Sequence, residues 1–183
     1  MKIKSKLLRA AQVCQAKDDW REYLCGIHIK GNHVESTDGH CCVRMAMDKH
    51  VEIERIVNIQ GRVPAKAVSS IFEIGEVEAI VKHYDQFCQL IGVQVVDVIE
   101  GKYPDFDRVF PKDDKKTAIN EIGINPDYIG RFSKMFTISK MCHAKVELFG
   151  INNAIKMMSL NAIINEEYGN PVFVVMPIRL KKD

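Results

Sequence analysis

No apolar run in this 183-residue chain approaches the roughly 20 residues of a membrane-spanning helix. The opening Met1-Lys2-Ile3-Lys4-Ser5-Lys6 leads into a charged amphipathic stretch, not an apolar signal core, so a cytoplasmic location is expected. The net charge is only +2, too small a total to mark a nucleic-acid binder by itself. Gly-x-x-x-x-Gly-Lys, Gly-x-Gly-x-x-Gly and His-Glu-x-x-His are all missing, which removes the usual supports for nucleotide hydrolysis and for the common zinc hydrolases. None of the six cysteines (Cys14, Cys25, Cys41, Cys42, Cys88, Cys142) forms a Cys-x-x-Cys pair. His28, His33, His50, His83 and His143 are scattered without ligand spacing. The cysteines therefore read as reduced, mostly buried small hydrophobes, with Cys41 and Cys42 on opposite faces of a strand, and no metal or cofactor is expected.

What is present is a pattern repeated three times: a short strand, an amphipathic helix and further strands. In the first copy Ser5 is placed to cap a helix over residues 5–17, with Leu7, Leu8, Ala11 and Cys14 on one face and Lys6, Arg9 and Lys17 on the other. Strands follow at 23–30 and 33–47, the second broken by the Asp38-Gly39 turn. In the second copy a strand at 55–60 leads to a helix opened by Pro64, burying Val68, Ile71 and Phe72, and then to strands at 77–84 and 87–99. A charged stretch, Lys112-Asp113-Asp114-Lys115-Lys116, reads as a linker. The third copy has a strand at 119–124, a helix started by Asn125-Pro126 with Ile129, Phe132 and Phe136 on its apolar face, and strands at 145–150, 154–160 and 171–180.

Charge is distributed unevenly over this pattern. The expected helices carry Lys6, Arg9, Lys17, Arg62, Lys66, Arg131, Lys134 and Lys140 against only Glu73 and Asp127, so the remainder of the chain is net acidic. Positive charge on the solvent face of every helix builds a directional surface for a polyanion such as the phosphate backbone. Ser36, Asp38 and His40 supply the residue types of a hydrolytic triad, but so short a spacing within a strand or turn disfavours their convergence; a turn stabilised by local hydrogen bonds accounts for them better, and an enzymatic reading of Asp38 and His40 is a remote alternative.

Three segments, in order, carry a resemblance. Ser36-Thr37-Asp38-Gly39-His40, then Glu100-Gly101-Lys102-Tyr103-Pro104-Asp105-Phe106-Asp107-Arg108-Val109-Phe110-Pro111, then Phe173-Val174-Val175-Met176-Pro177-Ile178-Arg179-Leu180 resemble hallmark segments of the bacterial DNA polymerase III beta subunit, the sliding clamp. The resemblance covers nearly all of this chain and about half of the family's length. Residues 1–111 look like the middle of the family's three domains, and residues 117–183 like the second half of the last one. It implies an α+β DNA-clamp fold with three βαβββ units: one full clamp domain plus a half domain. Phage or prophage origin is expected from the abbreviated architecture alone.

The resemblance further implies a non-catalytic accessory subunit of DNA replication. Helices would line a channel for duplex DNA, with Lys6, Arg9, Lys17, Arg62, Lys66, Arg131 and Lys134 meeting phosphates. A groove for short peptides from DNA polymerase and other clamp partners would involve Leu24, Thr37, Gly39, His40, Pro104, Arg108, Val109, Val174, Val175, Met176, Pro177, Ile178, Arg179 and Leu180. Cys41 and Cys42 stand where the family has a basic and an aliphatic residue, which alters one wall, and Lys181, Lys182 and Asp183 run on past the groove. A lone half domain exposes a sheet edge, so self-association as a dimer or tetramer is expected, four chains supplying the family's twelve units. The competing reading is a peptide-binding decoy that captures clamp partners without encircling DNA.

Overall fold

The computed structural model describes residues 1–75, 78–112, 116, 118–137 and 142–180. Its secondary structure is mixed α+β: among the described residues, nine strands in one antiparallel sheet, with four short α-helices. Strand β1 (Lys2–Lys4) leads directly into α1 (Ser5–Cys14). The sequence of α1 is Ser-Lys-Leu-Leu-Arg-Ala-Ala-Gln-Val-Cys, rich in good helix formers and free of Gly and Pro. Leu7, Leu8, Ala10, Ala11 and Cys14 are all buried, so the expected apolar face is the packed one. The helix is shorter than 5–17, because Gln15 turns extended. Ser5 does not cap it. The N-cap is Lys4, with no side-chain cap bond, while the Ser5 hydroxyl is buried against Ser70 Oγ at 2.7 Å.

Strands β2 (Ile27–Thr37) and β3 (Cys41–Ile59) form a long hairpin around the residue 38–40 turn. Residues 23–26, expected to open a strand, belong instead to a 3₁₀ turn over Glu22–Cys25 and to Gly26. The expected strands at 33–47 and 55–60 divide differently: 33–37 end β2, while 41–47 and 55–59 belong to the single 19-residue β3. An irregularity at Gly31, with φ +57, absorbs the register shift between β2 and β3. β3 is the spine of the sheet. One edge pairs with β2; the other is shared, Ile56–Ile59 pairing with β6 (Leu90–Ile99) and Cys41–Arg44 with β9 (Val172–Val175).

The second expected helix is absent. Residues 64–68 make a turn in which Ala67 N–H donates to the Pro64 carbonyl, and the chain then enters β4 (Ser69–Ile74), which pairs with β1 and with β5 (Ala79–Tyr84). The reason lies in the sheet: Val68 N–H donates to Tyr84 and its carbonyl accepts from Ser5, which commits Val68 to ladder bonds. Ser70 and Phe72 point into the core, Ile71 is half-buried and Val68 is exposed, an alternation and not a helical face.

Beyond β6, Asp105 caps the short α2 (Phe106–Val109). α3 (Pro126–Lys134) starts as its sequence predicts: Asn125 accepts from Asp127 N–H, Pro126 occupies the first turn, and Phe132 and Phe136 are buried with Ile129 against the core. The strand expected at 119–124 reduces to one bridge between Gly123 and Ile178. β7 (Ala144–Glu147), β8 (Ile155–Ser159), an unanticipated α4 (Ala162–Glu167) capped by Asn161, and β9 complete the chain. β9 stops at Val175, ahead of Pro177, where a strand to 180 was expected.

Two apolar clusters flank the sheet. The larger joins α1, α3, Tyr168 and Phe173 to β2 and β3; the smaller, on the opposite face, groups Cys42, Ile56, Tyr103, Phe106, Ala154 and Val174. Cys41 lies in the first and Cys42 in the second, as strand alternation requires.

Candidate functional site

The turn at residues 37–41 is built from its own side chains. Asp38 Oδ1 accepts from His40 N–H (2.9 Å) and Cys41 N–H (3.0 Å), Thr37 Oγ1 donates to the Cys41 carbonyl (2.7 Å), and Gly39 adopts φ +89. Tyr103 fixes the turn from below: its phenol accepts from Thr37 N–H at 3.1 Å and donates to the Gly26 carbonyl at 3.4 Å. The three triad-like side chains face different partners. Ser36 Oγ donates to the Ala11 carbonyl (2.5 Å), Asp38 Oδ2 receives Arg131 Nη1 (2.6 Å), and His40 stacks on Tyr128 with ring centroids 5.3 Å apart. Arg131 also lies 4.9 Å from the Tyr128 ring centre and donates to Cys41 Sγ at 3.3 Å. Burial and the nearby Asp38 carboxylate raise the Tyr128 phenol above its ordinary range.

β9 brings the carboxyl-terminal segment to this turn. Cys41 pairs with Val175, and Met176 N–H donates to the His40 carbonyl at 2.9 Å. Val174 and Val175 are core residues, one on each face, whereas Met176, Ile178 and Leu180 are 43%, 52% and 50% exposed. Ile178 N–H donates to Gly123 (2.9 Å), where any Cβ would sit 2.7 Å from the Ile178 carbonyl oxygen; glycine permits the approach. The placement of Lys181, Lys182 and Asp183 lies outside the described residues, as does that of Lys140.

The second segment, residues 100–111, is held against the sheet by Arg44. Its guanidinium bonds Glu35 Oε1 (2.5 Å) and Asp107 Oδ1 (2.6 Å) and lies 5.0 Å from the Phe110 ring centre. Glu35 in turn contacts His28 at 2.7 Å. Phe106 is buried at the α2 start, leaving Arg108 and Val109 exposed along a cleft of about 500 Å³ closed on its other side by Phe149, Asn153 and Ala154. Pro104 is half-buried, and Leu24 is buried within the 3₁₀ turn. Thr37, Gly39, His40, Val175 and Met176 thus converge directly, while Arg108 and Val109 line the cleft. Sequence reasoning missed Tyr128, Arg44 and the 149–154 loop. Tyr128 was legible only as a residue of the α3 first turn; nothing local marked its stacking on His40.

The basic residues divide into two groups. Lys6 pairs with Glu167, Arg9 Nη1 donates to the Pro64 and Ala67 carbonyls (2.9 Å each), and Arg131 serves Asp38. Burial lowers both the Lys6 and the Arg9 pKa from their ordinary values. Lys17, Arg62, Lys66 and Lys134 are exposed, Arg62 and Lys66 on a loop where a helix was expected. Among the described residues no three His, Cys, Asp or Glu side chains cluster to hold a metal, and no helix is long and apolar enough to cross a membrane.

No family model matches this sequence, and no curated protein matches it. Solved structures do. The DNA polymerase sliding clamp from Bacillus subtilis superposes with a TM-score of 0.64 at 12% identity, over 99% of this chain and 64% of that one. The DNA polymerase III subunit beta from Borrelia burgdorferi, solved with a natural product, gives 0.67 at 14% identity, over 99% of this chain and 64% of its own. The Helicobacter pylori beta clamp bound to a DNA ligase peptide gives 0.67 at 11% identity, over 98% of this chain and 66% of its own. The chain spans about two thirds of the length of these relatives, and it has the sliding-clamp fold of the bacterial DNA polymerase III beta subunits.

Proposed function

We propose that this chain is a non-catalytic, clamp-like replication accessory protein that captures short apolar peptides of DNA polymerases and related enzymes and holds them at duplex DNA. The observation that carries this reading is the antiparallel pairing of β9 with Cys41–Arg44, which sets Met176 beside His40. That pairing assembles one surface from segments far apart in sequence, with exposed apolar Met176, Ile178 and Leu180 beside polar His40. A flexible methionine among branched side chains makes an adaptable floor for an apolar peptide. The Helicobacter pylori clamp carries a DNA ligase peptide, and a peptide of that chemistry is the natural probe. Binding of the labelled peptide, followed by fluorescence polarisation, is expected to weaken about tenfold in Met176→Ala, an exposed position whose truncation spares the core. Equal affinity of wild type and variant, or no binding by either, overturns the groove.

The decoy reading draws support from the basic side chains. Lys6, Arg9 and Arg131 are engaged within the protein, which leaves four of the seven proposed phosphate contacts exposed. Peptide binding with no measurable affinity for duplex DNA at low salt selects the decoy; salt-dependent duplex binding selects the clamp.

A further inference from the structure

We propose that Trp20 is a second docking point for the partner peptide, at the rim of the groove, and that it receives a cationic residue flanking the peptide's apolar anchor. The proposal rests on the groove reading above and adds the partner's charge to it. Trp20 is the chain's only tryptophan and is 88% exposed. An indole removes roughly 200 Å² from water when covered, and folding gains nothing by leaving it in solvent. Tryptophan presented in this way is the residue type that most often anchors a partner.

The side chain that faces the ring is itself held in place. Asp19 accepts three hydrogen bonds from Arg21, from its backbone N–H (2.8 Å), Nε (3.0 Å) and Nη2 (2.9 Å), and these hold the Asp19 carboxyl down at about 2. The Arg21 guanidinium so fixed lies 5.7 Å from the Trp20 ring centre. Its Nη2 also comes within 3.2 Å of where a side chain on Gly39 would begin, and the φ of +89 there favours glycine. One guanidinium therefore lies near both the indole and the turn, and the surface runs on from Trp20 through Arg21 and Gly39 to the stacked His40 and Tyr128.

The occupant follows from charge. Arg21 is paired with Asp19, and the stretch around Trp20 carries the exposed carboxylates Asp18 and Glu22 against the exposed Lys17. This small acidic excess disfavours a phosphate backbone and favours a Lys or Arg side chain. Such a side chain meets both the open indole face and a carboxylate.

The single tryptophan makes its own reporter. The DNA ligase peptide is prepared with Lys-Arg, Ser-Ser or Glu-Glu added at either end, and each form is titrated by polarisation and by Trp20 emission. The Lys-Arg form at one end is expected to bind about fivefold more tightly than the Ser-Ser form at low salt, to shift Trp20 emission, and to lose that advantage at high salt. Trp20→Ala is expected to erase the advantage and leave the Ser-Ser affinity unchanged, since an exposed ring supports no packing. Equal affinities for the three forms with unmoved emission overturn the Trp20 proposal while the groove stands. Failure of every form to bind overturns the groove reading and this inference with it.

Discussion

Arg44 concentrates several contacts in one side chain: ion pairs to Glu35 and Asp107 and cation–ring contacts with Phe106 and Phe110. Glu35 is 3% exposed, so Arg44→Met leaves a buried carboxylate with His28 as its remaining ionic partner among the described residues. The variant is expected to lose about 2–4 kcal/mol, read from the urea midpoint, and to loosen the α2 wall of the groove. Glu147 is a second case. Hydrogen bonds from Lys116 and Lys145 hold its carboxyl at about 2, below the ordinary 4.5. The folded-state pKa is depressed, so this stabilisation is complete above about pH 4.5 and is lost as pH falls toward 2. Glu147→Gln is expected to flatten that part of an acid-unfolding profile; an unchanged profile contradicts it. Neither role was legible in the sequence, because both depend on partners brought from distant segments. The turn chemistry of Asp38 and Gly39 was legible, since it lies within five residues.

The elements divide along the same line. α1 followed from its spacing, though not from the expected Ser5 cap, and α3 from its spacing and its Asn125 cap; their apolar faces are the buried ones. Leu8 is fully buried in α1, so Leu8→Ala is expected to cost about 2–5 kcal/mol by denaturant titration. The helix expected after Pro64 failed because helical spacing at Val68, Ile71 and Phe72 ignored β1, whose open edge needs the backbone of β4. The length of β3 was hidden because its middle, from Asp48 to Glu54, is largely exposed and lacks a strand's alternation. Gly169 is a position where sequence gave no warning: at φ +63 its Cβ would lie 2.0 Å from the Ala46 carbonyl oxygen. Gly169→Ala is expected to cost about 3 kcal/mol or more, since backbone stands on the other side of the clash.

For the molecule as a whole, β3 carries the organisation. It pairs with strands from the beginning, middle and end of the chain, and so the first and last motif segments are brought side by side at Cys41–Arg44 and Val172–Val175. The α+β clamp fold was legible because those segments stand in family order; their mutual contacts were not, because sequence order says nothing of which strand edges join. On the DNA-facing reading, Lys66→Ala and Lys134→Ala each lower the slope of log affinity against log salt by about 0.9, measured on a duplex between low and moderate salt. Unchanged slopes remove those residues from the DNA face. The central claim is that three distant segments form one peptide site, and amide hydrogen exchange with and without the DNA ligase peptide tests it most directly. The account predicts simultaneous protection at 38–41, 105–110 and 174–180 on peptide addition; protection confined to one segment, or found only elsewhere, contradicts it.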